Sequence, residues 1–165
     1  MTTDEGIVYD RSLLGVETDI GTFELTREML LGFAKSTGET NPRYVGDENG
    51  EGDIVAPSTI CNVFVSGVSR PDIKLEFGEI SFFAGQSIEC KAEIRPGDVL
   101  SASTKLDNVY AKTGRSGKMV FAVWETHFKN QDDTTVALVT ESFVRRNKSR
   151  SVSYTHLTLP TSDLV

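Results

Sequence analysis

From Ser87 to Arg95 apolar and polar residues alternate one by one. Ile88, Cys90, Ala92 and Ile94 fall on one side, and Glu89, Lys91, Glu93 and Arg95 on the other. A period of two predicts a strand with one buried face. Pro96-Gly97-Asp98 follows as a turn, with proline presetting φ and glycine free to take a positive φ. Leu100 to Tyr110 reads as the next strand, and Thr113 to Gly117 as a hairpin turn. Lys118 to Lys129 is apolar on both faces (Val120, Phe121, Ala122, Val123, Trp124), which predicts a central strand. Asn130 to Asp133 turns the chain into a last strand, Thr134 to Arg145.

The first half is patterned differently. Ile20 to Leu25 predicts a short strand. Met29, Leu30, Phe33, Ala34 and Thr37 recur at helical spacing behind Thr26, whose hydroxyl suits an N-cap. Gly38 suits the left-handed stop, so a first helix is expected over 26–37. Gly46 to Asp53 holds glycines and acids and nothing that packs. It reads as a solvated loop, since its ligand spacing does not fit a calcium loop. Pro57 fits the first turn of a second helix, with Ser58 and Thr59 able to satisfy open amides. Ile60, Cys61, Val63, Phe64, Val65, Gly67 and Val68 make that helix apolar around most of its girth, and Arg70-Pro71 ends it. A helix over 57–69 is therefore expected to be buried under the meander, in an α+β domain with an antiparallel sheet.

The 165 residues are one domain's worth of chain, and 38% apolar with 25% charged residues is ordinary globular composition. A net charge of −7 argues against non-specific nucleic-acid binding and against anionic membrane surfaces. No apolar run reaches the ~20 residues of a membrane span. The start, MTTDEGIVYD, is acidic and shows no signal-peptide core. Two cysteines, Cys61 and Cys90, make neither a disulfide framework nor a metal set, so a reduced, cytoplasmic compartment is expected, with no metal and no cofactor. From Val152 to Thr161 the string VSYTHLTLPT resembles a translated sequencing adapter. Residues 152–165 are accordingly expected to be a non-native tail, and residues 1–151 a single domain; the alternative is a native disordered tail. His156 falls in the tail.

Candidate chemistry is sparse. Gly38-Glu39-Thr40-Asn41-Pro42-Arg43-Tyr44 follows the first helix and reads, on physics alone, as a helix stop and an Asx-Pro turn. His127 lies in a strand far from it. Gly114-Arg115-Ser116-Gly117 resembles a backbone-clamping loop of one RNA-binding fold, but strands flank it, so a hairpin turn is expected. Arg145, Arg146, Lys148 and Arg150 form a basic end, read as a solvated terminus.

The order of helix, GETNPRY, Ala56-Pro57-Ser58-Thr59, Phe83-Ala84-Gly85-Gln86, Arg95-Pro96-Gly97-Asp98 and the meander resembles the MaoC-like hydratase/dehydratase family, and within it the N-terminal, partner-type domain. Leu13-Leu14-Gly15, the stretch from Lys112 to Gly117, and Ser142 to Arg146 add to the likeness, which covers most of residues 11–146. The resemblance implies a hot-dog fold, an antiparallel sheet wrapped around a long central helix. It implies acyl thioesters on coenzyme A or acyl carrier protein, and reversible water addition to a 2-enoyl thioester giving the (R)-3-hydroxyacyl thioester. It also implies a homodimer, or a heterodimer with a catalytic hot-dog subunit. For the basic end at Arg145, Arg146, Lys148 and Arg150, the resemblance adds the alternative of a contact for a coenzyme A phosphate or an acidic carrier protein.

Active members carry an Asp and a His in G-D-x-N-P-x-H; here Glu39 and Tyr44 stand at those positions, while Asn41 and Pro42 are kept. A free phenol has a pKa of ~10 and is a poor base near neutral pH. The resemblance thus gives Glu39, Asn41 and Tyr44 as the positions of the catalytic motif. It gives Pro57, Ser58 and Thr59 as amides aimed at a thioester carbonyl, and Ile60 and Phe64, with Cys61 and Val65, as walls of an acyl channel. It points to a partner-type unit whose chemistry another subunit or domain supplies. Two alternatives stay open: a self-sufficient hydratase using Glu39 and Tyr44, and a non-catalytic acyl-thioester binding module.

Overall fold

The computed structural model describes residues 6–49, 51–115 and 117–148; the sequence features placed at Ser116, Arg150 and in the 152–165 tail lie outside them. Five strands form one antiparallel sheet: β1 (Glu17–Glu24), β2 (Ile80–Cys90), β3 (Val99–Gly114), β4 (Gly117–Lys129) and β5 (Thr135–Arg146). Their order is β1-β3-β4-β5-β2, so β4 is central, as its apolar pattern predicts. The β3–β4 hairpin closes at the Gly114–Gly117 pair. The β4–β5 turn is held by Asn130 Oδ1, which accepts from the amides of Asp132 (3.1 Å) and Thr134 (3.0 Å).

One face of the sheet is covered, and alternation decides which. On β4, Val120, Ala122, Trp124, Thr126 and Phe128 are all buried. At the Phe128 end this face packs against α1 (Arg27–Ser36) and α3 (Cys61–Val65) through Leu30, Cys61, Phe64 and Val65. At the Val120 end it is covered by Ile7, Ile73 and Leu75, which lie outside the helices. α1 begins as expected, with Thr26 Oγ1 accepting from Met29 N at 3.2 Å, and Gly38 stands past its end at φ 71. α2 (Pro42–Val45) is a four-residue turn of helix.

Two expectations need correction. The helix over 57–69 is not a long central helix: α3 has five residues. Ahead of it the chain winds more tightly, with Ile60 N bonded to Pro57 O and Asn62 N to Thr59 O, each 3.0 Å and three residues apart. Behind it Ser66 is extended and Gly67 takes φ 80, a conformation an α-helix cannot continue through. The strand expected over 87–95 lies instead at Ile80–Cys90. Its ladder with β5 ends where two successive amides, Lys91 and Ala92, converge on Val136 O (2.8 and 3.2 Å). Ile94 O then accepts from Ala56 N (2.8 Å), which ties the segment before α3 to the segment after β2.

Candidate functional site

The Gly38–Tyr44 motif builds its own shape. With Gly38 in the left-handed region, Glu39 N reaches back to Ala34 O at 2.9 Å and closes α1. The Glu39 carboxylate then turns inward: Oε1 accepts from the amides of Thr40 and Asn41, both at 2.9 Å. Asn41 caps α2, its Oδ1 accepting from Arg43 N at 3.0 Å, with Pro42 in the first turn. Glu39 Oε1 and Asn41 Oδ1 are therefore engaged by local backbone amides. Tyr44, on α2, is half-buried and faces a cleft.

That cleft holds about 300 Å³ and lies between α2, the 55–58 segment and residues 90–94. Val55 N bonds to Arg43 O at 3.0 Å, holding α2 against the segment that carries Pro57 and Ser58. Tyr44, Pro57 and Ser58 line the cleft together with Cys90, Lys91 and Ile94. Cys90 Sγ donates to Ser58 O at 3.4 Å, so the end of β2 is fastened to the turn before α3. The neighbouring Cys61 is fully buried, and that burial, with Cys90 nearby, pushes its thiol up to about 12; it is an unreactive core residue. Exposed ion pairs, Arg43–Glu93, Arg95–Glu93 (2.6 Å) and Arg95–Asp53 (2.7 Å), fringe the opening and contribute little energy.

The structure thus brings Tyr44, Pro57 and Ser58 to one cleft and leaves Glu39 and Asn41 on the loop that leads to it. Thr59 sits in the tight turn before α3. Ile60 and Phe64 lie in the core: Phe64 stacks on Phe23 with ring centroids 4.4 Å apart and touches Phe128 at 6.2 Å. His127 points to the opposite face of the sheet from Phe128, where its Nε2 meets Glu125 Oε1 at 2.7 Å. Burial works against the Glu125 charge, but bonds from Lys105 and His127 outweigh it and hold that carboxyl below its usual range. Sequence reasoning missed Arg70 and Glu141, a buried ion pair between the stretch after α3 and β5. The signal was present, since Glu141 falls on the inward side of β5 between Val139 and Phe143.

The sequence model of a family described as "FAS1-like, dehydratase domain region" matches residues 12–139. The chain belongs to that family. The fold of this FAS1-like dehydratase domain is shared by solved structures at low identity. It superposes on a chain of the C-terminally truncated HadBC (3R-hydroxyacyl-ACP dehydratase) complex of Mycobacterium tuberculosis with a TM-score of 0.61, at 17% identity over 82% of this chain and 98% of that one. The R-hydratase PhaJ1 of Pseudomonas aeruginosa gives 0.56 at 16% identity, covering 92% of each chain. The MaoC-like dehydratase of Rhodospirillum rubrum gives 0.56 at 16%, covering 86% of this chain and 98% of that one. The architecture is therefore the hot-dog fold of the MaoC-like proteins, built here around a short α3. No curated protein matches the chain by sequence. Among the described residues no helix is long and apolar enough to cross a membrane.

Proposed function

We propose that this FAS1-like dehydratase domain is the partner-type unit of an (R)-specific 2-enoyl-thioester hydratase or 3-hydroxyacyl-thioester dehydratase, with proton transfer supplied by a companion hot-dog subunit or domain. One observation carries the reading: a tyrosine holds the position where the family motif places its base, beside a Glu39 whose Oε1 is bonded to two amides of its own loop. Water activation needs a group free to accept a proton within reach of the water. The scaffold around it is kept, with Asn41 capping α2 and the Tyr44 cleft formed against Pro57 and Ser58. The HadBC complex, a dehydratase named for two components, supports a two-subunit arrangement, as does the edge strand β2 with Phe82 and Phe83 exposed. The thioester would enter at the Tyr44 cleft, carried by coenzyme A or acyl carrier protein.

The test is hydration of short- and long-chain enoyl thioesters, followed by loss of conjugated-enoyl absorbance. The chain is assayed alone and together with a hot-dog subunit that carries the Asp and His. Turnover only in the mixture is expected. Turnover by the chain alone that vanishes in Glu39→Ala would overturn the proposal in favour of a self-sufficient site.

A further inference from the structure

Among the described residues three polar side chains are buried: Thr104, Thr126 and Glu141. The two threonines bond to each other, Oγ1 to Oγ1, at 3.0 Å. Glu141 pairs with Arg70, whose guanidinium lies against the rings of Trp124 (5.8 Å) and Phe143 (5.3 Å). Burial pushes the Glu141 carboxyl above its ordinary value, and Arg70 pulls it only part of the way back. A buried pair repays its desolvation when the remaining polar atoms are bonded too. Here they are not: Arg70 Nε and the nearby Asn62 Oδ1 are shielded from solvent and have no partner among the described residues. Native proteins leave few such atoms, and each calls for an explanation.

These groups meet in one place. Asn62, Arg70, Gln86 and Glu141 line a cleft of about 440 Å³ beside the rings of Phe83 and Phe143, which pack edge to face with centroids 5.6 Å apart. Not one lining residue is shared with the Tyr44 cleft. The volume is that of a small-molecule pocket. The charges of Arg70 and Glu141 cancel, so neither an anion nor a cation is favoured there. What is missing is one acceptor for Arg70 Nε–H and one donor for Asn62 Oδ1. A hydroxyl or an amide supplies both at once, and Val65 and Val68 with the two rings suit a hydrocarbon body.

We infer that this cleft is a second ligand site, taking a neutral, largely apolar molecule through a hydroxyl or amide group held between Asn62 and Arg70. Because both atoms are shielded in the free protein, entry requires the Asn62 side chain to rotate. The short α3 favours this, since Asn62 lies in its first turn and the helix has ended by Ser66. The cleft shares no residue with the Tyr44 cleft, but its wall residue Phe83 lies on the β2 edge proposed above as the subunit contact, so the titration uses the chain without a companion subunit.

Trp124 is the single tryptophan; it pairs with Glu141 across the β4–β5 ladder and its ring lies 5.8 Å from the Arg70 guanidinium, so its emission reports on changes at that pair. The full chain is titrated with hexan-1-ol and hexanamide, and with pentyl methyl ether, hexanoate and hexylammonium as controls. Saturable emission changes are expected for the alcohol and the amide, with the controls at least tenfold weaker. Asn62→Leu is expected to weaken both by about tenfold, the equivalent of one hydrogen bond of about 1.4 kcal/mol. Amide shift mapping on the unaltered chain should place the largest changes at Asn62, Gly67, Gln86 and Glu141. The inference fails if neither probe saturates, if the ether binds as well as the alcohol, if a folded Asn62→Leu keeps full affinity, or if the shifts map elsewhere.

Discussion

Glu39 shows how one side chain can hold a motif position and yet serve the backbone. Its Oε1 accepts from the amides of Thr40 and Asn41 in the loop between α1 and α2. Glu39→Ala is therefore expected to cost about 1 kcal/mol of stability in urea unfolding, and Glu39→Gln a fraction of that, because the amide oxygen still accepts. Glu141 makes a different demand. Its folded-state pKa is raised above 4.5 by burial, so the folded protein holds that proton more tightly than the unfolded chain does. By linkage, the stability this contributes is complete below the unfolded pKa and is lost as pH rises through the folded one. Thermal melts of native protein and Glu141→Gln should show the native protein's relative Tm falling as pH rises from about 4. A difference between the two that stays flat across that range would mean the carboxyl keeps its ordinary pKa.

At the scale of elements, two glycines with similar φ separate local conformation from packing. Gly38, φ 71, has open space where a Cβ would stand, so Gly38→Ala should cost only the left-handed penalty, about 1 kcal/mol. Gly78, φ 70, would put a Cβ 2.7 Å from the backbone of Arg146, and neither chain has a flexible end to move. Gly78→Ala is expected to lose more than about 2 kcal/mol by the same measurement. β3, β4 and β5 were legible in the sequence because turn residues bound them and their alternation is strong: Pro96-Gly97-Asp98, the Gly114–Gly117 hairpin, Asn130 to Asp133. The start of β2 was not. Its register with β5 shifts between Phe83 and Gly85, so the alternation breaks where the strand is half formed. The shortness of α3 was hidden too, because an apolar run from Ile60 to Val68 suits a long buried helix equally well. What stops the helix is Gly67, a position that reads as a permissible member of a helical face. The motif loop was legible as a helix stop and an Asx-Pro turn. The inward fold of the Glu39 carboxylate is a side-chain choice that spacing does not encode.

At the scale of the molecule, the sheet has two edges, β1 and β2, and only β2 displays adjacent large aromatics on its two faces, Phe82 and Phe83, 43% and 53% exposed. Replacing both with Asp is expected to abolish association with the companion subunit proposed above in sedimentation equilibrium while leaving the sheet signal in circular dichroism unchanged. An unaltered association state would place the contact elsewhere. The strand order has a further consequence. Both edges come from the first 90 residues, and each pairs with a strand made later: β1 with β3, and β2 with β5, some fifty residues downstream. The inner three strands are joined by short turns and need only local contacts, whereas the edges close long loops. During synthesis, then, the amino-terminal half leaves the ribosome with its strands unpaired and its apolar residues uncovered. β1 must wait for β3 and β2 must wait for β5, and in that interval each depends on whatever shields nascent chains from one another.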